Sequence, residues 1–369
     1  MRALLTAAAI SFAFAIFLTP VFLRAFRKWG WGQVIRTPEA IENPSHGAKR
    51  GTPTMGGAIF IVGTIAGYLI GCYTANIPPT LSGWLVIWLM VGFGAVGFID
   101  DFLKVRTQHF GGLKSWQKII GQVIVIVPFA ILALNFPDGS GQTPGSGAIS
   151  LVRDLPMLSF FFFTPVLAWL LYLVWLSLLG VGFSNSANLT DGLDGLAAGV
   201  GIFVIGAYSL IAYWQFNQAC SGAALADASA EACYMVRDPL DLAIIAAAFV
   251  GGLVGYLWWN APKAKVFMGD VGSMAIGGVV MAMAVLTHTE LLGILIAGGY
   301  VISSGSVLLQ RVYFKATRGK RLFLMSPLHH HLEMRGWQET QIVVRLWIVS
   351  GILAVSGVGI VYVEWLAVR

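Results

Sequence analysis

Charged residues are scarce in this sequence. Asp, Glu, Lys and Arg together make up 11% of its 369 residues, whereas apolar residues make up 57%. Because a single hydrophobic core cannot bury that much apolar surface, the composition excludes a water-soluble globular protein. It predicts an integral membrane protein.

Short segments of alternating polar and apolar residues are also lacking. Such segments are typical of a transmembrane β-barrel, whereas the apolar residues here form long continuous runs. A helix needs about 20 apolar residues to cross the hydrocarbon of a bilayer. On this rule we expect ten transmembrane helices, at approximately 3–23, 55–75, 81–99, 119–136, 164–183, 196–214, 240–258, 271–287, 291–311 and 344–366. The sequence therefore predicts an all-α, polytopic membrane protein, with one domain over residues 1–369.

Motifs of several protein classes are missing. The sequence has no Walker A loop, no haem or iron–sulfur cysteine pattern and no Gly-x-Ser-x-Gly motif, which weighs against ATP hydrolysis and acyl transfer. It has no DNA- or RNA-binding motif, so no nucleic-acid partner is expected. Of its three cysteines, Cys220 and Cys233 share one predicted external loop. A disulfide between them stays open, because spacing alone does not fix its geometry.

The basic residues are distributed unevenly among the predicted loops. Of the 23 Lys and Arg residues, all but Arg2, Arg153, Arg237 and Arg369 lie on one side of the bundle. Because cytoplasmic loops carry the excess of Lys and Arg, this side is expected to be cytoplasmic and both termini external. The net charge of +6 is then a signal of topology. The expected active-site face consists of the cytoplasmic segments 24–54, 100–118, 185–195, 259–270 and 312–343.

Two adjacent carboxylates, Asp100 and Asp101, directly follow the apolar run from Leu81 to Ile99. A carboxylate at the C-terminal end of a membrane helix faces the negative end of the helix dipole and requires compensation. Lys104, one helical turn later, would supply it at an ordinary solvated helix end. The functional alternative is that one carboxylate faces a metal ion while the other accepts a proton or orients a nucleophile.

A second polar stretch, from Asn185 to Gly195, links predicted spans five and six. It offers hydrogen-bonding side chains at Asn188, Asp191 and Asp194. One aspartate would serve as an ordinary helix N-cap. The number of polar groups exceeds what one cap requires, and it suits the base and ribose of a nucleotide.

A third polar stretch, 260–273, precedes predicted span eight and contains Gly269, Asp270 and Gly272. Glycines let the backbone approach a ligand closely, and a helix start offers unpaired N–H groups to phosphate. Asp270 would hold a hard cation, since Mg²⁺ binds carboxylates together with substrate phosphates. The structural alternative is an N-cap aspartate.

Three consecutive histidines, His329, His330 and His331, lie in the last cytoplasmic segment. On a helix, neighbouring side chains diverge by about 100°, so the three cannot all bind one zinc ion. Imidazoles that contact phosphate or transfer protons fit better, with a structural role as the alternative.

Three lysines and one glutamine complete the candidates. Lys49 begins a Lys-Arg-Gly-Thr-Pro stretch that a capped helix start explains in purely structural terms. Alternatively, Lys49, Lys104 and Lys118 would clamp a multiply charged phosphate from the same face. Gln310 is a weaker candidate for a hydrogen bond to a ligand.

Five ordered motifs together closely resemble the phospho-N-acetylmuramoyl-pentapeptide transferases. The motifs are Gly51-Thr-Pro-Thr-Met-Gly-Gly, the Asp100-Asp101 pair, the stretch from Asn185 to Gly195, Phe267-Met-Gly-Asp-Val-Gly-Ser and Ser326-Pro-Leu-His-His-His. The similarity runs nearly from end to end. This family is a branch of the polyprenyl-phosphate N-acetylhexosamine-1-phosphate transferases, which act in bacterial peptidoglycan synthesis.

The resemblance implies that phospho-N-acetylmuramoyl-pentapeptide is transferred from UDP-MurNAc-pentapeptide to undecaprenyl phosphate, giving lipid I and UMP with Mg²⁺. The implied site faces the cytoplasm from the bacterial inner membrane. Asp270 resembles the Mg²⁺ ligand, and Asp100, Asp101, Asp270 and His330 resemble catalytic groups. The implied nucleotide-pocket residues are Asn188, Asp191, Asp194, Asn260 and Phe267, and the implied further substrate contacts are Lys49, Thr54, Lys104, Lys118, Gln310, His329 and His331.

Alternatives remain at this point. Within the enzyme class, UDP-N-acetylglucosamine could be the sugar donor to the same lipid. A cation-coupled transporter or lipid flippase would place acids near the membrane midplane on broken helices, whereas these acids lie at span ends. Direct transfer and a covalent aspartyl intermediate are both open, and so is a homodimer.

Overall fold

A bundle of long helices dominates the computed structural model, which describes residues 1–32, 51–107, 111–220 and 232–369. Nine of the described helices are long and apolar enough to cross a membrane, and the number is ten when a helix pair bent by 84° is counted as one span. The all-α polytopic fold is thus confirmed. The helices are α1 (Arg2–Lys28), α2 (Gly57–Ala75), α3 (Leu81–Thr107), α4 (Ser115–Asn135), α5 (Pro165–Thr190), α6 (Leu196–Asn217), α7 (Pro239–Asn260), α8 (Gly269–Leu286), α9 (Glu290–Ile296), α10 (Gly298–Ala316), α11 (Leu328–Met334) and α12 (Glu339–Val368).

Three predicted boundaries are wrong. Helix α3 does not end at Ile99 but continues to Thr107, so the paired aspartates lie inside it. Helix α5 continues to Thr190 and includes half of the stretch expected to be a link. The ninth predicted span is broken between α9 and α10. Helical hydrogen bonding does not stop where apolar residues stop, and Lys104 and Arg106 in the last turn of α3 favour its extension.

The connection between α4 and α5 contains a hairpin of two antiparallel strands, β1 (Ala148–Ser150) and β2 (Asp154–Ser159). The apolar runs of the sequence did not predict these strands. The buried carboxylate of Glu290, at the start of α9, accepts hydrogen bonds from the Ser150 backbone N–H at 2.7 Å and the Ser150 hydroxyl at 3.0 Å. Further along the chain, Cys220 and Cys233 form a disulfide.

Helix α8 occupies the centre of the bundle, where every residue from Val271 to Leu286 is buried. It packs against α3 and α5. Close packing is possible because of glycines: a Cβ on Gly97 of α3 would overlap the backbone of Asp270, and one on Gly57 of α2 would overlap Gly272. These contacts fix one end of α8 against α2 and α3. They position the candidate site.

Candidate active site

Three carboxylates from two helices converge at this end of the bundle. Asp100 and Asp101 lie on α3, and Asp270 lies in the first turn of α8. One oxygen from each carboxylate lies within 4.8 Å of the others. Asp100 and Asp101 are buried, whereas Asp270 is partly exposed. Such a cluster of negative charge requires positive partners.

Two lysines provide them. The Lys104 ammonium lies 2.5 Å from Asp100 Oδ2, 3.4 Å from Asp101 Oδ1 and 3.3 Å from Asp270 Oδ2. The Lys118 ammonium, from α4, lies 2.9 Å from Asp100 Oδ2 and 2.6 Å from Asp270 Oδ2. Three carboxylates against two ammonium groups leave one negative charge uncompensated when all are ionised. The cluster is therefore suited to a further cation.

Backbone N–H groups hold two of the carboxylates in place. Asp100 Oδ1 accepts a hydrogen bond from the N–H of Leu113 at 2.6 Å. Asp101 Oδ2 accepts one from Val271 at 3.3 Å, at the start of α8. Each aspartate thus has one oxygen bound to the backbone and one directed at lysine. This arrangement orients the pair before any ligand binds.

The donor set fits Mg²⁺. Its oxygen ligands lie about 2.1 Å from the ion, so neighbouring ligands are about 3 Å apart and opposite ones about 4.2 Å apart. One oxygen of each carboxylate lies within 4.8 Å of the others, close to the largest of these separations. All three offer oxygen, the donor that hard cations prefer. Asp100 and Asp101 thereby join Asp270 as candidate ligands.

The stretch before α2 lies beside the stretch before α8. The N–H of Phe267 donates to Pro53 O at 2.8 Å, and the N–H of Gly56 donates to Phe267 O at 2.9 Å. Thr54 is buried here, and its hydroxyl borders Gly269. Two motifs that are far apart in the sequence therefore form one wall of the site.

The predicted nucleotide residues connect the 185–195 stretch with the 260–273 stretch. Asn188 donates to the Ser273 hydroxyl at 3.0 Å. The Asn260 side chain accepts from the Gly195 N–H at 3.1 Å and donates to a neighbouring carbonyl. Asp194 accepts from the Ala264 N–H at 3.0 Å. Asn260 and Asp194 are thus engaged in holding the loops together, a role that the sequence did not reveal.

Asp191 is half-buried, and the negative charges of the three-carboxylate cluster act on its carboxyl group. Burial raises the pKa of its carboxyl to about 8, and the charges of Asp270, Asp101 and Asp194 act in the same direction. At neutral pH this group would retain a proton. It is then able to donate a hydrogen bond to a ligand, which an ionised carboxylate cannot do.

The three histidines have different surroundings. His329 is fully buried, neither ring nitrogen has a hydrogen-bond partner among the described residues, and burial together with His330 lowers its pKa to about 3. His330 pairs with Glu333 at 2.6 Å. His331 accepts a hydrogen bond from the Leu324 N–H at 3.1 Å.

A glycine connects the histidines to the nucleotide stretch. A Cβ on Gly192 would overlap His329 Nε2 and lie 3.2 Å from His330 Nε2. The histidine segment and the loop that carries Asp191 are therefore in contact. Sequence reasoning missed Gly192 and Glu333; the i, i+3 spacing of His330 and Glu333 on a helix would have indicated the second.

One predicted contact is not brought to the cluster, and another lies outside the described residues. Gln310 uses its side-chain oxygen to accept hydrogen bonds from the N–H groups of Leu322 at 3.1 Å and Phe323 at 2.8 Å. It therefore shapes the loop after α10. Lys49 lies outside the described residues.

Comparison with known proteins identifies the family. The chain matches the model of glycosyl transferase family 4 over residues 83–288 and the phospho-N-acetylmuramoyl-pentapeptide-transferase signature 1 over residues 49–61. It is 51% identical to the phospho-N-acetylmuramoyl-pentapeptide-transferase of Clavibacter michiganensis, over 99% of this chain and all of the relative. The chain belongs to this transferase family. The proteins of the same name from Pseudarthrobacter chlorophenolicus and Corynebacterium urealyticum are 48% and 45% identical, each over 99% of both chains.

The two family matches cover most of the candidate site residues. Residues 83–288 include the three carboxylates, Lys104, Lys118 and the nucleotide stretches. The signature at 49–61 includes Lys49 and Thr54. The histidine segment lies beyond both matches and joins the site through the contact with Gly192.

Proposed function

We propose that this chain, as a single domain, transfers phospho-N-acetylmuramoyl-pentapeptide from UDP-MurNAc-pentapeptide to undecaprenyl phosphate. The products are lipid I and UMP. The main support is the cluster of Asp100, Asp101 and Asp270 with two lysines. The chain that contains it is about half identical to phospho-N-acetylmuramoyl-pentapeptide-transferases. A diphosphate donor and a lipid phosphate both require positive charge and a divalent cation at the point of reaction.

Mg²⁺ is the proposed cofactor, with Asp270 as its principal ligand and Asp100 and Asp101 beside it. When bound, Mg²⁺ neutralises the pyrophosphate and so stabilises the charge that develops during phosphoryl transfer. Lys104 and Lys118, which now bridge the carboxylates, would turn towards substrate phosphates. Before substrate binds, their ion pairs hold both ammonium groups beside the carboxylates.

The proposed reaction is an in-line displacement. An oxygen of undecaprenyl phosphate attacks the phosphorus that is bonded to the sugar, a new P–O bond forms, and the P–O bond to UMP breaks. Asp100 or Asp101 accepts the proton of the lipid phosphate, since attack by a protonated oxygen is slow. UMP leaves with the electron pair of the broken bond. A covalent route with an aspartate as nucleophile is the alternative.

The remaining predicted residues are proposed to bind the donor. Asn188 and Asp191 border the cluster from the 185–195 stretch, where a protonated Asp191 would donate to the nucleotide. Phe267 is proposed as the surface for the uracil ring. His330 is the proposed acid–base group, and Glu333 fixes the orientation of its ring.

We further propose that the site faces the cytoplasm from the bacterial inner membrane and that both termini are external. The distribution of Lys and Arg supports this orientation. Modification of introduced cysteines by an impermeant thiol reagent tests it: residues near Lys265 should react only after the membrane is opened, and residues near Asp138 should react in intact cells.

Release of UMP from the purified, detergent-solubilised protein tests the activity. UDP-MurNAc-pentapeptide with undecaprenyl phosphate and Mg²⁺ should give UMP, and UDP-N-acetylglucosamine should not. Asp270→Asn should lower turnover at least 100-fold, whereas the matched change Asp138→Asn, on the opposite side of the membrane, should leave it unchanged. Normal turnover of Asp270→Asn at low Mg²⁺ would contradict the metal assignment.

A second measurement separates direct transfer from the covalent route. The protein is incubated with UDP-MurNAc-pentapeptide in the absence of lipid and analysed by intact-mass spectrometry. Direct transfer predicts an unchanged protein mass. A phospho-sugar adduct would establish the covalent alternative.

A further inference from the structure

Four consecutive phenylalanines join β2 to α5, and only the first is turned inward. The ring of Phe160 packs edge to face against the ring of Tyr172, with 5.9 Å between the ring centroids. Within the described part of the chain, the next three rings are exposed, and Phe162 is the most exposed of them at 73%. A large apolar area therefore lies on the surface at the end of the hairpin.

The exposed rings belong to a larger apolar patch. Met157 of β2 and Val166 of α5, on either side of the phenylalanines, are each 82% exposed. The hairpin patch consists of the exposed residues Met157, Leu158, Phe161, Phe162, Phe163 and Val166. No charged residue occurs in the sequence from 155 to 190. A contiguous exposed apolar patch indicates contact with a membrane or with another protein.

Hydrogen bonds fix the backbone of the hairpin patch. The Phe160 N–H donates to the carbonyl of Gly147, next to β1, at 2.9 Å. The Phe161 N–H donates to the Ser159 hydroxyl at 3.3 Å. A Cβ on Gly147 would overlap the Phe161 ring, so this ring lies directly on the glycine backbone. The exposed rings are therefore presented by an ordered segment.

The polar groups of the hairpin are bound to the bundle. Arg153, in the hairpin turn, pairs with Glu364 of α12 at 2.7 Å. Asp154, at the start of β2, pairs with His288 at 3.2 Å. Together with the hydrogen bonds to Glu290 described above, these contacts attach one side of the hairpin to the helices. Among the described residues, the hairpin patch is the side that stays exposed.

The length of α5 places the hairpin patch at the edge of the membrane. A helix needs about 20 residues to cross the hydrocarbon. Counted back from Asn185, near the end of α5 that carries Asn188, these residues begin at Pro165, where α5 starts. The patch surrounds this point, so it lies where the hydrocarbon meets the headgroups. It is at the opposite end of α5 from the proposed reaction site.

An apolar stripe on α5 continues the hairpin patch into the membrane. Val166, Leu170 and Val174 follow i, i+4, i+8 spacing, so they lie on one side of the helix, and all three are exposed. In a helix that crosses a membrane, such side chains contact the acyl chains of lipids. Because the patch begins where this stripe ends, the leaflet that covers the stripe also reaches the patch.

We propose that the hairpin patch is embedded in the bilayer surface on the side opposite the reaction site, among the headgroups and the upper parts of the acyl chains. Its partner is the lipid surface, because the patch is continuous with the stripe on α5 and lies at the level of the headgroups. Amphipathic helices at a bilayer surface bury their apolar side by about 5–10 Å, and we expect the same depth here. The patch has no charged residue, so the contact does not depend on headgroup charge.

Fluorescence quenching by brominated lipid tests this contact. The full-length variant F162C is labelled with bimane and reconstituted into phosphatidylcholine vesicles, with or without bromine on the upper part of the acyl chains. Labelling without reductant is selective, because Cys72 is buried and Cys220 and Cys233 form a disulfide. Bromine quenches only fluorophores that it touches, so the fluorescence of F162C should fall by about half at the proposed depth.

Two further variants serve as matched controls. V174C, on the stripe of α5, gives the quenching of a position that faces lipid. S140C lies in an exposed turn of the same connection between α4 and α5, outside the hairpin patch, and its label should keep its fluorescence. The unfolding temperatures of F162C and S140C in detergent should be equal, because both substituted side chains are exposed.

Two results would overturn the proposal. The first is quenching of F162C that does not exceed that of S140C. The second is cross-linking of F162C between two copies by a bismaleimide in the vesicles without quenching of the label, which would assign the hairpin patch to a second copy of the chain. No turnover is measured, so the result is independent of the proposed function.

Discussion

The glycine at the start of α8 offers a sharp test of the site geometry. Gly269 has a φ of +70°, in the left-handed region, and a Cβ there would overlap Asp101 Oδ2 and lie 3.1 Å from both Met55 N and Thr54 Oγ1. Gly269→Ala therefore has two effects. It strains the backbone, and it pushes the Asp101 carboxylate by about 1 Å to reach an ordinary contact distance.

A matched control separates these effects. Gly30 also has a φ of +70°, but a Cβ there would meet no atom of the described residues within 4 Å. A left-handed alanine costs roughly 1–2 kcal/mol at either position. The two variants should therefore lose a similar amount of stability to backbone strain, which thermal unfolding in detergent measures.

Only Gly269→Ala should lose most of its activity. The displaced Asp101 carboxylate also gives up its hydrogen bond from the Val271 N–H. A displacement of about 1 Å in a reacting group can lower the rate by about 100-fold. UMP release should therefore fall by about two orders of magnitude in Gly269→Ala and less than threefold in Gly30→Ala. Similar activities in the two variants would refute the role of Asp101.

Two further predictions concern other parts of the molecule. Gly192→Ala should lower UMP release at least tenfold, because the added methyl displaces the ring of His329, whereas Gly182→Ala, which meets open space, should not. Burial alone would lower the pKa of His288 and raise that of Asp154, but their ion pair reverses both shifts. The ion pair therefore stabilises the fold at pH values between the lowered pKa of the Asp154 carboxyl and the raised pKa of the His288 imidazole. The unfolding temperature should fall as the pH rises through the imidazole pKa, and Asp154→Asn should remove this dependence; an unaltered pH profile would contradict it.

Local properties of the chain were sufficient to predict the membrane architecture. Apolar runs depend only on neighbouring residues, so their number and order followed from the sequence, and the fold class is confirmed. The ends of the helices did not follow from these runs. Backbone hydrogen bonding carried α3 past Asp100 and Asp101, and α5 to Thr190, because polar residues do not by themselves end a helix.

The hairpin between α4 and α5 shows why some elements were missed. Its strands are short, and the segment before them is rich in Gly, Ser and Pro, a composition typical of loops. What holds the hairpin in place is the buried Glu290 carboxylate, which accepts hydrogen bonds from Ser150 across 140 residues of sequence. A pattern within a short window contains no information about such a partner.

The sequence by itself determined that the chain spans a membrane and which family it resembles. Only the tertiary structure decided that Asp270 meets Asp100 and Asp101, that Lys118 joins them, and that Gln310 shapes the loop after α10. The reason is physical. Composition and spacing act over a few residues, whereas the site depends on how closely α8 approaches α3, and that distance is set where Gly97 leaves room for the backbone of the other helix.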